Sequence, residues 1–514
     1  MRGSLRGDFF GGLTAAIIAL PLGLAFGVAS GLGAAAGLWG AIILGFFASF
    51  FGGTQTQISG PTGPMTVVVA SSVITFDGNI SLVASMVVLA GLFQILFGLA
   101  RFGKFVQYIP YPVISGFMSG IGVIIIILQL APLFGATLDA SVAHALISLP
   151  TVIMQTNGQS LLLGSLTLMI LYFTPQRFSK IIPSPLIALV ALTLFSILAG
   201  FEVDTIGKIP AVFPSFVAPS FELSTYTTVI TLALTLAMLG TIDTLLTSIV
   251  ADSITRTKHN SNRELLGQGI GNMLCGLSGS VPGAGATMRT VVNIKSGGNS
   301  RYSGMIHALG LLLVVLLFAP LASKIPMAVL AGVLIKVGID ILDYKFLKVW
   351  RLSPKNDLAV MVIVFLVTVF VDLMVAVGVG VVMASLLVVY RITKETEVVL
   401  EGELSEENLA LPEGTRIVKI NGAFFFGSST FFESKINSLL DTKRMIIDIS
   451  SVPFIDITAI FTLKELIARL QKDGVKIAII AKNQHKNKIL KLNQDKTFDT
   501  IEFFKTVKQA ILAP

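Results

Sequence analysis

The chain has 514 residues; 54% are hydrophobic and only 13% are charged, whereas a soluble protein needs about 25% charged residues to cover its surface, so an ordinary soluble enzyme, a disordered chain and a secreted disulfide scaffold are excluded. The single cysteine, Cys275, and four scattered histidines (His144, His259, His307, His485) give no basis for structural disulfides, thiolate clusters or a histidine metal site. The net charge of +8 reads as basic inner loops plus a basic tail, with no nucleic-acid partner implied.

The first apolar run, 9–29, leads straight into a second and lacks a polar cleavage region, so it reads as a membrane span and not a leader. A spanning helix needs about 20 apolar residues. By that measure 9–29, 33–51, 80–100, 112–134, 159–174 and 184–200 are spans, followed by 226–250, 263–280, 303–322, 326–343, 356–371 and 373–391. Two stretches are shorter: Pro61–Ile74, introduced by SGPTGP, and Gly285–Ile294, introduced by VPGAG. Counting both as short spans makes fourteen. With the N-terminus inside, the inner loops then collect Arg2, Arg6, Arg101, Lys104, Arg177, Lys180, Arg256, Lys258 and later basic residues, while the outer loops keep only Lys208 and Lys324. Both termini are expected in the cytoplasm.

The two short stretches resemble each other. Thr62–Val68 reads TGPMTVV and Gly285–Val292 reads GATMRTVV. Each is the third span of a seven-span half, about 9–200 and 226–391, and an odd number of spans inverts the second half in the membrane. Matching interrupted segments in two halves point to a transporter binding site. Beyond the membrane domain, 1–393, residues 394–514 read as a small α/β domain. Its expected strands are Arg416–Ile420, Met445–Asp448 and Lys476–Ile480, with a helix over Thr458–Gln471 stopped by Gly474.

Asp243 lies deep in the apolar LAMLGTIDTLLTSIV, where a carboxylate costs about 2.5–3.5 kcal/mol on insertion scales. It needs a cavity, a cation, a proton or a partner. Thr247 follows one turn later on the same face, and a carboxylate with a hydroxyl suits a hard cation such as sodium. The starts of the two short helices expose unpaired amides and the positive end of a helix dipole. An anion is expected between Thr62–Pro64, with Gly63 allowing close approach, and Gly285–Thr287, which includes Ala286. Arg289 either attracts the anion or faces a neighbouring helix or headgroups, and Lys336 reads as a snorkelling cation. Glu264 reads as a first-turn carboxylate, Asp456 as a helix cap, and Gly33, Gly37 and Gly40 as close helix contacts. No catalytic constellation and no P-loop is present, so enzyme activity and direct use of ATP are not expected.

IALPLGLAFG, ISGPTGPMTVV, the TIDTLLTS span, NRELLGQGIGN and PGAGATMRTVVNI together resemble the SulP family of anion transporters over roughly 5–393. The tail, with MIIDISSVPFIDITAI, is similar to the STAS domain that closes such proteins. The resemblance implies fourteen membrane segments in a seven-plus-seven inverted repeat, divided into core and gate, and a homodimer; the bacterial inner membrane is the expected location, which the absence of a signal or transit peptide fits. Within the family the likeness is to sodium-coupled bicarbonate transporters of the BicA type. It implies sodium, the coupling ion, at Asp243, Thr247, Gly285 and Thr287, and bicarbonate at Thr62 and Ala286. Proton-coupled sulfate or dicarboxylate uptake is the alternative within transport, with Asp243 carrying the proton; a passive anion channel and a membrane-anchored sensor are alternatives of other classes. Ile457 follows Asp456 where phosphorylatable STAS proteins carry serine, so the tail is expected to be structural, dimer-forming or docking.

Overall fold

The computed structural model describes residues 5–103, 110–136, 142–175, 183–207, 213–220, 225–371, 373–401, 411–436, 442–493 and 496–513. Arg2, Lys104, Arg177, Lys180 and Lys208 of the charge map lie outside them. The chain forms two compact units, Met1–Val381 and Val382–Pro514.

Every expected apolar segment coincides with a helix. The first half runs α1 (Leu5–Ala29), α2 (Ala34–Phe51), α3 (Gly63–Thr75), α4 (Ile80–Leu99), α5 (Tyr111–Leu133), α6 (Val142–Met154), α7 (Gly158–Phe173) and α8 (Ser184–Leu198). The second runs α9 (Tyr226–Thr255), α10 (Ser261–Leu277), α11 (Thr287–Lys295), α12 (Arg301–Ala322), α13 (Met327–Ile341), α14 (Tyr344–Val349), α15 (Lys355–Phe370) and α16 (Leu373–Glu395). Counting described residues only, five of them, α1, α2, α4, α5 and α9, are at least 18 residues long and apolar enough to cross a membrane. Asparagines in the polar links start several helices. Asn79 accepts from the amides of Ser81 and Leu82 at 3.1 and 3.3 Å, Asn157 caps α7 likewise, and Asn260 accepts from Arg263 at 3.0 Å.

Among the described residues of the first unit, two helices were not foreseen. α6 and α14 occupy stretches read as links, one after the fifth expected span of each half. α6 has 13 residues and contains Pro150, so at 1.5 Å per residue it is about 20 Å long. A search for unbroken spans of about 20 residues passes over it.

The helices pack in two groups. α1, α2, α4, α9, α10, α11 and α12 pack on one another, and α5, α7, α8, α13 and α15 form the other set. Each group has a glycine crossing. A Cβ on Gly91 of α4 would fall 2.5 Å from the carbonyl of Gly269 on α10, and one on Gly122 of α5 would fall 2.5 Å from that of Gly338 on α13. Of the glycines read as close contacts, Gly37 and Gly40 are so: a Cβ there would meet the carbonyls of Gly23 at 2.0 Å and Val281 at 2.1 Å. Gly33 is different. It has open space around it and φ of +91°, so the left-handed backbone before α2 requires it, not packing.

In the second unit, strands β3 (Glu397–Glu401), β4 (Thr415–Asn421), β5 (Arg444–Asp448), β6 (Lys476–Ile480) and β7 (Glu502–Phe504) form one sheet in chain order. The first pair is antiparallel and the rest parallel. Alternating strand residues divide the core in two. Val418, Met445, Ile447 and Ile479 pack against α17 (Phe426–Ile436), α18 (Ile457–Lys472) and α19 (Asn483–Lys491). Ile417, Ile446, Ala478 and Ile480 pack against α20 (Val507–Leu512). Asp456 caps α18 as expected, accepting from Ala459 at 2.8 Å; its other oxygen accepts the Phe426 amide at 3.0 Å.

Candidate functional site

Two short strands precede the short helices: β1 (Ser59–Gly60) before α3 and β2 (Ala284–Gly285) before α11. They pair antiparallel, Ser59 opposite Gly285 and Gly60 opposite Ala284. The pairing brings the starts of α3 and α11 together from opposite halves of the chain. Glycine permits the approach, because a Cβ on Gly283 would lie 2.0 Å from the Gly60 carbonyl oxygen. Thr62 is the cap residue of α3 and Ala286 that of α11, both extended and neither capping with its side chain. The first intrahelical bonds are Thr66 to Thr62 and Thr290 to Ala286. The amides of Gly63 and Met65 on α3, and of Thr287, Met288 and Arg289 on α11, therefore have no intrahelical acceptor.

α9 runs alongside this junction. Thr247 donates to the Gly285 carbonyl at 2.9 Å and accepts from the Thr287 hydroxyl at 2.7 Å. One turn earlier Thr244 accepts the Gly285 amide at 3.0 Å. Asp243 is half-buried and stands beside Thr62, with Arg289 acting on it electrostatically. It also borders a cavity of about 20 Å³ between Pro64, Phe117 of α5 and Leu239 and Ile242 of α9, room for about one water. Thr287 itself is exposed.

Thr62, Gly63, Asp243, Thr247, Gly285, Ala286 and Thr287 are thus brought to one junction. Arg289 joins them and does not face headgroups: it is 2% exposed, its Nη2 donates to the Pro61 carbonyl at 2.5 Å, and its Nε and Nη1 have no partner among the described residues. Lys336 does not join them. It pairs with Asp340 one turn on and lies over the Tyr172 ring.

Sequence reasoning understated Glu264. It does sit in the first turn of α10, but it is 1% exposed and accepts four hydrogen bonds. Its Oε2 takes the amides of Gly53 and Thr54, each at 2.8 Å. Its Oε1 takes Gln57 at 2.8 Å and Gln268 at 3.0 Å. Gln268 also donates to Ser59 at 2.6 Å, and Gln57 packs where a Gly285 side chain would be. Glu264 therefore fixes the strand that carries α3. The one local signal was its spacing of four from Gln268, which places both on one helix face.

Two helical halves whose interrupted segments meet beside a carboxylate, in a chain that also carries a separate α/β domain, have the architecture of an anion transporter and not of an enzyme. The sulfate permease family pattern matches residues 5–364 and the STAS domain pattern matches 408–510. The chain belongs to the sulfate permease family. It is 45% identical to the bicarbonate transporter BicA of Picosynechococcus, over 95% of this chain and 91% of that one. A solved transmembrane domain of a cyanobacterial BicA superposes with a TM-score of 0.70 at 50% identity, covering 73% of this chain and 97% of that one. The murine Slc26a9 anion transporter shares the fold, with a TM-score of 0.88 at 22% identity, covering 100% of this chain and 92% of that one.

Proposed function

We propose that the protein takes up bicarbonate together with sodium by alternating access. The observation that carries this reading is the junction of α3 and α11 beside Asp243 and Thr247. The full-length likeness to a named bicarbonate transporter supports the choice of anion. Sodium is held by the Asp243 carboxylate, the Thr247 and Thr287 hydroxyls and the Gly285 carbonyl. The anion lies between the two helix starts, on the unpaired amides, with Thr62, Gly63, Ala286 and Thr287 around it. A bare Asp243 carboxylate repels an anion a few ångströms away; sodium cancels that charge, and the two bind together by simple electrostatics. Arg289 adds fixed positive charge behind the site. The group that contains α9 and α11 carries the site together with α3, and the α5–α13 group is the surface it moves against. The protein acts as a homodimer in the bacterial inner membrane with both termini in the cytoplasm. Residues 1–393 transport, and the tail has a structural, dimer-forming or docking role.

Uptake into proteoliposomes tests this. Labelled bicarbonate and labelled sulfate are offered separately, each with an inward sodium gradient, an inward proton gradient or neither. Sodium-driven accumulation of bicarbonate that Asp243→Asn abolishes is the expected result. Proton-driven accumulation of sulfate would make Asp243 a proton carrier. Flux without accumulation would indicate a channel, and binding without flux a sensor.

A further inference from the structure

An apolar cavity lies apart from the transport junction. It has a volume of about 390 Å³ and runs between α1, α8 and α12, with Leu38 of α2 at its back. One polar side chain reaches it, Thr193, and that hydroxyl is already given to the Leu189 carbonyl at 2.6 Å. The cavity therefore has nothing to offer water, and a dry void of this size forfeits packing contacts on all its walls. Along α1 it extends from Leu13 to Leu24, about 16 Å at 1.5 Å per residue. That is close to half of the roughly 30 Å hydrocarbon thickness of a bilayer.

We propose that this crevice is a binding site for one acyl chain of a membrane lipid. Its length matches one leaflet, its lining has no free hydrogen-bonding group, and its rim is open, with Val190 41% exposed and Leu194 45% exposed. An occupant bearing a polar group along its length finds no partner there; a hydrocarbon chain needs none. Its walls belong to different helix groups, α1 and α12 to one and α8 to the other. The chain is thus a specific filler between two packed bodies and not part of the general lipid annulus. The inference does not depend on which anion is carried.

The test uses full-length protein in phosphatidylcholine vesicles containing a phosphatidylcholine with a photoreactive diazirine on one acyl chain. Irradiation and peptide mapping are expected to place adducts on the peptides carrying Leu186–Leu194 and Gly310–Val315. Their yield should be several-fold above that at Leu96, which is 47% exposed on α4. Val190→Phe with Val314→Phe, which fills the crevice from its walls, should remove those adducts and leave the Leu96 signal unchanged. Even labelling of all exposed helix faces, or adducts indifferent to filling, would overturn the proposal. A Val190→Cys chain that forms disulfide-linked dimers in the vesicle would assign the crevice to a second copy, and would overturn it too; the native Cys275 is buried and does not confuse the result.

Discussion

Replacing Thr247 by valine removes one hydroxyl and keeps the side chain's shape. The hydroxyl donates to Gly285 at 2.9 Å and receives Thr287 at 2.7 Å, and it is fully buried. Val leaves a carbonyl and a hydroxyl facing a methyl group. In the proposed sodium site it also removes one oxygen from the cation's shell. A bond to a charged group contributes about 1.5–3 kcal/mol, so half-saturation by sodium should rise about 10- to 140-fold at 1.4 kcal/mol per tenfold. The assay is initial bicarbonate uptake against external sodium at fixed anion concentration. Thr247→Ser, which keeps the oxygen, should stay near the parent, and the bicarbonate KM at saturating sodium should change little. A variant whose maximal rate falls while its sodium half-saturation stays put would refute the reasoning, because the hydroxyl would then serve the fold and not the cation.

Gly283→Ala should cost about 1–3 kcal/mol by overpacking, since its Cβ would meet the Gly60 carbonyl at 2.0 Å; uptake should collapse while detergent extraction still yields a single species, checked by size-exclusion chromatography. Asp456→Ala should destabilise the tail by about 0.5–2 kcal/mol through loss of the α18 cap, and the Phe426 amide should lose protection in hydrogen exchange. His485 is held below the ordinary imidazole range by burial and by Lys482 and Lys488. The unfolded tail then takes the proton first, so stability is full above the ordinary value of about 6.5 and falls as pH drops through it towards the folded value. Faster hydrogen exchange in α19 at pH 5 than at pH 7, flattened by His485→Gln, is the expected result.

The junction was legible where chemistry left a local mark. Asp243 stands out because a carboxylate in an apolar run is costly, and α3 and α11 stand out because each interrupts its half at the same place. Which oxygens meet was legible only in part: Thr247 is one turn from Asp243, but its bond to Gly285 spans 38 positions. Glu264 was read as an ordinary first-turn carboxylate because its backbone partners, Gly53 and Thr54, are more than 200 positions away. No periodicity reports such a pairing. α6 escaped for a different reason, being apolar but too short for the length that a spanning segment requires. In the tail the three central strands and α18 were clear from β-branched runs and a one-faced helix, whereas β3 and β7 sit at the sheet's edges with few buried residues to mark them.

The pairing of Ser59–Gly60 with Ala284–Gly285 also bears on how the protein is made. A ribosome adding about 5–20 residues per second needs about 10 to 40 s to pass from Gly53 to Glu264, 211 positions later. Throughout that interval the short strand of the first half is unpaired and the amides of Gly53 and Thr54 are without their acceptor. The first half thus cannot complete its own interior, and biogenesis depends on holding it open until the second arrives. Truncations ending between 200 and 260 should accordingly be cleared by membrane proteases, not accumulate as half-transporters.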